Sequence, residues 1–137
     1  MNIPEKHTLN CAECGRWAAT IVIAAPGEPM PERPPAPAFP LERWRVEMET
    51  PQQGGMNCPT SAEGAASLKQ AIETGDFEDL YKWGRPLAAA VCPTCRAFYC
   101  EEHQSALRVY ESGGSPLYDY YFETTCWKGH RRTFERD

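Results

Sequence analysis

The sequence contains no long apolar run. No stretch approaches the 18 consecutive apolar residues that indicate a membrane-spanning helix. Residues 1–7 also lack an apolar run, so we expect no signal peptide. A reducing, cytoplasmic compartment is then the default expectation.

The chain also has little positive charge. It carries 14 Lys and Arg residues against 19 Asp and Glu residues, for a formal net charge of −5. Two zinc ions bound by six deprotonated cysteines would take this to about −7. General binding to nucleic acids or anionic membranes needs a net basic face, so this balance disfavours both. Nucleic-acid binding through a local basic patch at 128–136 is kept as a lesser alternative function.

Catalytic signatures are absent from the sequence. It has no Gly-rich phosphate loop, no Ser nucleophile elbow and no His-x-Glu arrangement beside a candidate metal ligand. We therefore predict no catalytic residue and no bound organic cofactor.

The sequence does have cysteine and histidine in closely spaced pairs. The four pairs are Cys11 with Cys14, Cys92 with Cys95, Cys100 with His103, and Cys126 with His130. Such a gap closes too small a loop for an ordinary disulfide, but it lets both ends of a tight turn reach one metal ion. Eight ligands fill two four-coordinate sites with no position left for water. The pattern thus predicts two structural zinc ions.

Two further candidates are interpreted as bystanders. Cys58 has no partner at short range, and we interpret it as a packed small side chain rather than a nucleophile. His7 lies four residues before Cys11, and we expect it to be a loose terminal residue.

The length of 137 residues favours a single domain over 1–137. Seven of the thirteen prolines fall within 26–40, which predicts an extended linker or exposed loop there. Residues 41–91 are then an insertion of one strand and two helices between the first two pairs.

Hydrophobic periodicity and breaker residues predict the remaining elements. Residues 43–49 alternate, which predicts a half-buried strand with Trp44, Val46 and Met48 facing inward. We also expect helical structure to continue from His103 to about Tyr110. The other predicted elements are strands at 16–24, 118–125 and 131–134, a helix that begins at Thr60 or Ser61 and ends at Gly75, a second helix at 76–83, and turns at 51–55 and 113–116.

The order of the four pairs resembles the interleaved, cross-brace zinc fingers of the FYVE, RING and B-box families. The closest likeness is Cys-x2-Cys-x4-Cys-x2-(Cys/His) with an aromatic residue, here Tyr99, before the third Cys. The resemblance covers the ligand pattern and about 30 residues, and it implies a small zinc-stabilised α+β domain with a treble-clef or cross-brace finger.

In such families the first and third pairs share one metal, and the second and fourth share the other. The resemblance therefore implies one site of Cys11, Cys14, Cys100 and His103, and another of Cys92, Cys95, Cys126 and His130. The spacing alone also allows sequential pairing, with one all-cysteine site and one site of two Cys and two His.

The leading functional hypothesis is a non-catalytic protein-interaction module, adaptor or regulatory. Trp127 lies inside the last ligand pair, where an exposed aromatic would suit a protein hot spot and a buried one would pack over zinc. The alternative is a RING-like ligase that recruits a ubiquitin-type conjugating enzyme. RING domains usually have a large aliphatic residue inside the first pair, where this chain has Ala12 and Glu13.

Overall fold

The computed structural model describes residues 4–28, 42–110 and 120–134. Most of the predicted Pro-rich segment and the turn predicted at 113–116 lie outside these residues. The predicted α+β class is confirmed, with antiparallel strands and three short helices in the described chain. The elements are β1 (Glu5–Asn10), β2 (Trp17–Ala24), β3 (Trp44–Thr50), β4 (Gly54–Thr60), α1 (Ala62–Thr74), α2 (Phe77–Lys82), α3 (Arg85–Ala90), β5 (Val91–Cys92), β6 (Ala97–Phe98), β7 (Gln104–Tyr110), β8 (Tyr120–Cys126) and β9 (Arg131–Phe134).

The main core lies between a four-stranded sheet and the three helices. The sheet is an antiparallel meander in the order β1-β2-β3-β4. β2 is rich in β-branched residues, which suit a pleated, buried surface. Ile21 of β2 and Met48 of β3 are fully buried against Leu68, Leu80 and Leu87 of the helices. Each such side chain contributes roughly 1.5–3 kcal/mol through its removal from water.

The outer face of β3 differs from the prediction of a half-buried strand. Arg45 and Glu47 are both buried, although they alternate with the core residues Val46 and Met48. The guanidinium of Arg45 donates hydrogen bonds to the backbone carbonyls of residues 25, 28 and 43. These bonds let a charged side chain be buried, which alternation alone does not predict.

The first two helices begin and end as their cap residues predict. The Ser61 hydroxyl accepts from the Gly64 amide at 2.9 Å, and α1 ends at Gly75, whose φ is 73°. The Asp76 carboxylate accepts from the Asp79 amide at 3.1 Å at the start of α2. The sequence did not predict α3, although Pro86 stands in its first turn, where proline is favoured.

The structure corrects three other predictions. Residues Gln104–Tyr110 form strand β7 rather than a helix, because they pair along their whole length with β8. His7 is not a loose terminal residue, since it lies in β1 opposite Ile21. The turn predicted at 51–55 is shorter, and β4 begins at Gly54 and pairs with β3.

A second, three-stranded meander of β7, β8 and β9 is joined to the main sheet through the small β5-β6 hairpin. The side-chain amide of Gln104, in β7, donates to the carbonyls of Ala88 and Val91 at 3.1 and 2.8 Å. Gln52 donates to the carbonyls of Ala89 and Gln104 at 3.0 and 2.8 Å. These bonds fix the two sheets around the hairpin. No helix in the described ranges is long and apolar enough to cross a membrane.

Candidate metal centres

The eight predicted ligand side chains lie in two groups at the junction of the two sheets. Within each group the candidate ligand atoms all lie within 4.8 Å of one another. The pairs therefore meet in the interleaved way that the resemblance implies, and not sequentially. Cluster 1 consists of Cys11, Cys14, Cys100 and His103, and cluster 2 consists of Cys92, Cys95, Cys126 and His130.

Two of the pairs are tight turns at the ends of hairpins. Cys11 and Cys14 lie between β1 and β2, where the Gly15 amide donates to the Cys11 carbonyl at 2.9 Å. Cys92 ends β5 and Cys95 lies in the turn to β6, where the Cys95 amide donates to the Cys92 sulfur at 3.4 Å. The residue after each second cysteine is left-handed, with φ of 78° at Gly15 and 55° at Arg96. Two sequences with different residues thus form the same turn.

The other two pairs flank the second sheet. Cys100 and His103 lie just before β7, and the amide of His103 donates to the Cys100 carbonyl at 3.0 Å. Cys126 and His130 lie at the β8-β9 connection, where the Cys126 amide donates to the His130 carbonyl at 3.0 Å. Gly129 has a φ of 93°, which lets this turn present both ligands to the same point.

Several distances within each cluster lie close to the edge lengths of a zinc tetrahedron. Ordinary Zn–S and Zn–N bond lengths imply about 3.8 Å between two sulfurs and about 3.6 Å between sulfur and nitrogen. The sulfurs are 3.5 Å apart for Cys14–Cys100 and 3.8 Å apart for Cys95–Cys126. The sulfur–Nδ1 distances are 3.3 and 3.7 Å in cluster 1 and 3.2, 3.4 and 3.8 Å in cluster 2. Both histidines thus present Nδ1 to their clusters.

None of these cysteines forms a disulfide, so all six sulfurs are free to bind a metal ion. Burial raises the pKa of Cys92 to about 11. Burial also acts to raise the pKa of Cys11, but backbone amides, led by that of Cys100, outweigh it and lower the pKa to about 7. Three clustered thiolates repel one another unless a cation lies between them. Three sulfurs and one imidazole suit zinc better than magnesium or calcium, which prefer oxygen.

Trp127 connects the two clusters. Its backbone amide donates to the His103 carbonyl at 2.7 Å, and its ring lies edge-on to the His103 ring at 6.1 Å between centroids. The side chain is nevertheless 48% exposed, and Lys128 Nζ lies 5.7 Å from its ring centroid. Trp127 is therefore held against cluster 1 while much of its indole faces solvent.

The remaining sequence candidates do not join either cluster. Cys58 lies in β4, partly buried against the main core, and burial raises the pKa of its thiol. A raised pKa disfavours the thiolate, which fits a packed side chain rather than a nucleophile. His7 also lies outside both groups.

Sequence reasoning missed the polar contacts that hold the clusters in place. Arg16 pairs with Glu102 at 2.7 Å, which joins the first turn to the segment between Cys100 and His103. Gln104 follows His103 directly and is buried. Its position next to a ligand was the one available signal, because the glutamine itself gives no indication of burial.

Neither the curated proteins nor the solved structures contain a significant match to this chain. One family does match, and it is described as "Domain of unknown function (DUF8328)". The match extends over residues 1–136, which is nearly the whole chain. The protein therefore belongs to the DUF8328 family.

Proposed function

We propose that this protein is a non-catalytic interaction module stabilised by two structural zinc ions. The observation that carries the proposal is the pair of three-cysteine, one-histidine clusters with near-tetrahedral spacing. Cluster 1 and cluster 2 would each hold one ion. The interleaved order of the ligands supports a cross-brace or treble-clef finger as the finer fold.

Four protein ligands at each ion leave no position for a water molecule or substrate. Zinc that activates water usually has three protein ligands and an open position. Three thiolates also reduce the Lewis acidity of the metal ion. The role that fits these clusters is therefore to fix the chain at the junction of the two sheets.

Zinc would supply much of the stability of that junction. A hydrophobic cluster smaller than the main core lies at this junction. It consists of the buried side chains of Cys11, Cys92, Tyr99, Cys100 and Cys126. Most of these residues are ligand candidates, so little apolar packing remains there without the metal. Structural zinc contributes on the order of 10 kcal/mol, comparable with the whole stability of a small domain.

The proposed contact surface centres on Trp127. An exposed indole on a rigid support is a common anchor of protein interfaces, because little side-chain entropy is lost on binding. The contacts of Trp127 with His103 supply that support. Trp17 is a matched control, since it is 37% exposed and its indole donates to the Thr20 hydroxyl. Trp127→Ala should remove proteins captured from a cell extract, whereas Trp17→Ala should retain them.

A RING-like ligase is the second candidate, and the interleaved grouping of the clusters favours it over other enzyme classes. Incubation of the purified protein with a ubiquitin-charged conjugating enzyme separates the two functions. Accelerated discharge supports the ligase, and a rate equal to the uncatalysed one supports the plain interaction module.

Binding of nucleic acid through 128–136 has less support in the described part of this segment. Arg132 forms two contacts with the Glu78 carboxylate, at 2.5 and 3.0 Å, and Arg131 lies 3.6 Å from Glu123. Both guanidinium groups are thus already paired. A gel shift that weakens steeply with salt would favour nucleic-acid binding again.

Native mass spectrometry tests the metal proposal directly. We expect two zinc ions per chain, lost only when a chelator also unfolds the protein. One ion per chain, or a second ion that exchanges while the protein stays folded, would contradict two closed structural sites.

A further inference from the structure

A cavity lies at the end of the main sheet opposite cluster 1. Its lining residues lie at the start of β1, the end of β2, the start of β3 and the start of α1. Cys11 and Cys14 of cluster 1 follow the other end of β1. The length of β1 therefore separates the cavity from cluster 1 by roughly 17 Å. No cluster residue lines the cavity, so it is independent of the proposed zinc sites.

The cavity is large enough for a small organic molecule, and its described walls are mostly apolar. Its volume is about 380 Å³, within the usual range of ligand sites. Trp44 and Ile23 line the sheet side, and Ala62, Ala65 and Ala66 line the helix side. Three alanines along one face of α1 leave open a space that longer side chains would fill.

Three charged residues line the cavity, and two of them neutralise each other. Lys69 Nζ lies 3.3 Å from Glu5 Oε1, so this pair contributes no net charge. Glu28 is the third, and one of its oxygens accepts from the Ala25 amide at 2.7 Å. In the ranges that the structure describes, no Lys, Arg or His side chain forms an ion pair with Glu28. A carboxylate has about four acceptor positions, so Glu28 can accept further hydrogen bonds.

The start of α1, which contributes Ala62, gives little reason to expect an anion. The positive end of a helix attracts anions, but here the Ser61 hydroxyl already accepts from the Gly64 amide, and Glu63 places a negative charge in the first turn. The remaining features are an indole ring, apolar walls and the Glu28 carboxylate, which forms no ion pair within the described residues. The guanidinium of Arg45 lies nearby, but its hydrogen bonds go to the backbone carbonyls of residues 25, 28 and 43. An indole beside a carboxylate favours a cation, and apolar walls favour an apolar body.

We propose that this cavity binds a small organic cation, an arylalkylammonium compound, with its apolar part against Trp44 and Ala65 and its ammonium group at Glu28. This site is separate from the two proposed zinc sites, and a ligand can bind there without any change in bound zinc.

The test uses three probes of similar shape that differ in charge: 2-phenylethylammonium, 2-phenylethanol and phenylacetate. They are titrated into the zinc-loaded full chain, and amide and indole NMR shifts are followed. We expect saturable shifts at the Trp44 indole and at residues 62–66 with the ammonium compound. The alcohol should bind about fivefold to tenfold more weakly, and phenylacetate should not bind.

Two variants locate the site. Ala66 is exposed at the rim, so Ala66→Leu should fold normally and weaken binding about tenfold by filling the mouth. Ser67→Leu, at the next position but outside the lining, should leave affinity unchanged. Glu28→Gln keeps an acceptor for the Ala25 amide and should remove the preference for ammonium over alcohol.

The proposal is overturned if none of the probes gives saturable shifts, or if ammonium and carboxylate probes bind equally well. It is also overturned if Ala66→Leu and Glu28→Gln both bind like the unmodified chain. Zinc content measured on the same samples keeps this outcome distinct from failure of the metal proposal.

Discussion

The backbone amide of Trp127 donates to the carbonyl oxygen of His103 across 2.7 Å. Trp127 lies inside the last ligand pair of cluster 2, and His103 belongs to cluster 1. One hydrogen bond therefore joins the backbones that form the two clusters, and disruption of either cluster should affect the other.

We expect Cys95→Ser to lose the zinc of cluster 2 and to unfold the second sheet. Four-coordinate binding cannot be completed with three ligands, and the buried cluster beside the sheet consists mostly of candidate ligand side chains. Native mass spectrometry and the dispersion of NMR spectra measure both effects. The control is Cys58→Ser, which should cost about 1 kcal/mol through lost packing and should keep two ions. A Cys95→Ser protein with two zinc ions and a well-dispersed spectrum would refute the prediction.

Arg96→Gly is expected to stabilise the protein. Arg96 has a φ of 55°, a conformation that costs a residue with a side chain roughly 1–2 kcal/mol and costs glycine almost nothing. Glycine loses more entropy on folding, so the net gain should be about 0.5 kcal/mol. Chemical denaturation of the zinc-loaded protein measures it.

Gly129→Ala tests the same argument in the opposite direction. Gly129 has a φ of 93°, and no atom lies near the position of an added Cβ, so the strain is purely conformational. We expect Gly129→Ala to lower the free energy of unfolding by about 1 kcal/mol. Equal stability of both variants and the unmodified chain would show that these turns relax easily.

Leu68→Ala should destabilise the main core by about 3 kcal/mol. Leu68 is fully buried between α1 and the sheet, so truncation removes apolar contacts and leaves a cavity. The matched control is Leu107→Ala, because Leu107 is 60% exposed and should change stability by less than about 0.5 kcal/mol. Similar losses for both leucines would mean that Leu107 is buried in solution.

Arg132→Lys should lower the free energy of unfolding by about 1 kcal/mol, although the positive charge is kept. The guanidinium forms two contacts with Glu78 and lies 4.9 Å from the centroid of the Tyr81 ring, and an ammonium group cannot reproduce both contacts. Arg131→Lys is the control, since Arg131 is largely exposed and its single pair with Glu123 is longer. Thermal unfolding compares the two, and equal melting temperatures would contradict the prediction.

Local signals in the sequence predicted the elements that are bounded by capping or turn residues. Ser61 and Gly75 bound α1 because capping and left-handed residues act over only a few positions. The ligand pairs were found for the same reason, as each lies within one turn. Their grouping could not be derived from spacing, because it depends on contacts such as Cys14 with Cys100, which are 86 positions apart.

Elements that depend on distant pairing were missed or mistaken. Gln104–Tyr110 is compatible with a helix locally, and its pairing with β8 makes it a strand. β1 has charged and polar residues at most positions, and it is a strand because it pairs with β2. The burial of Arg45 depends on backbone carbonyls supplied by other segments, including that of Ala25.

The interleaved order of the ligands has a consequence for the timing of folding on the ribosome. Cluster 1 is complete once His103 has emerged, whereas cluster 2 needs His130. The thiols of Cys92 and Cys95 must therefore stay reduced, and without their final partners, until the residues of the second sheet have been synthesised. A nascent chain halted shortly after His103 has left the exit tunnel should hold one zinc ion, and the second should arrive only near the end of synthesis.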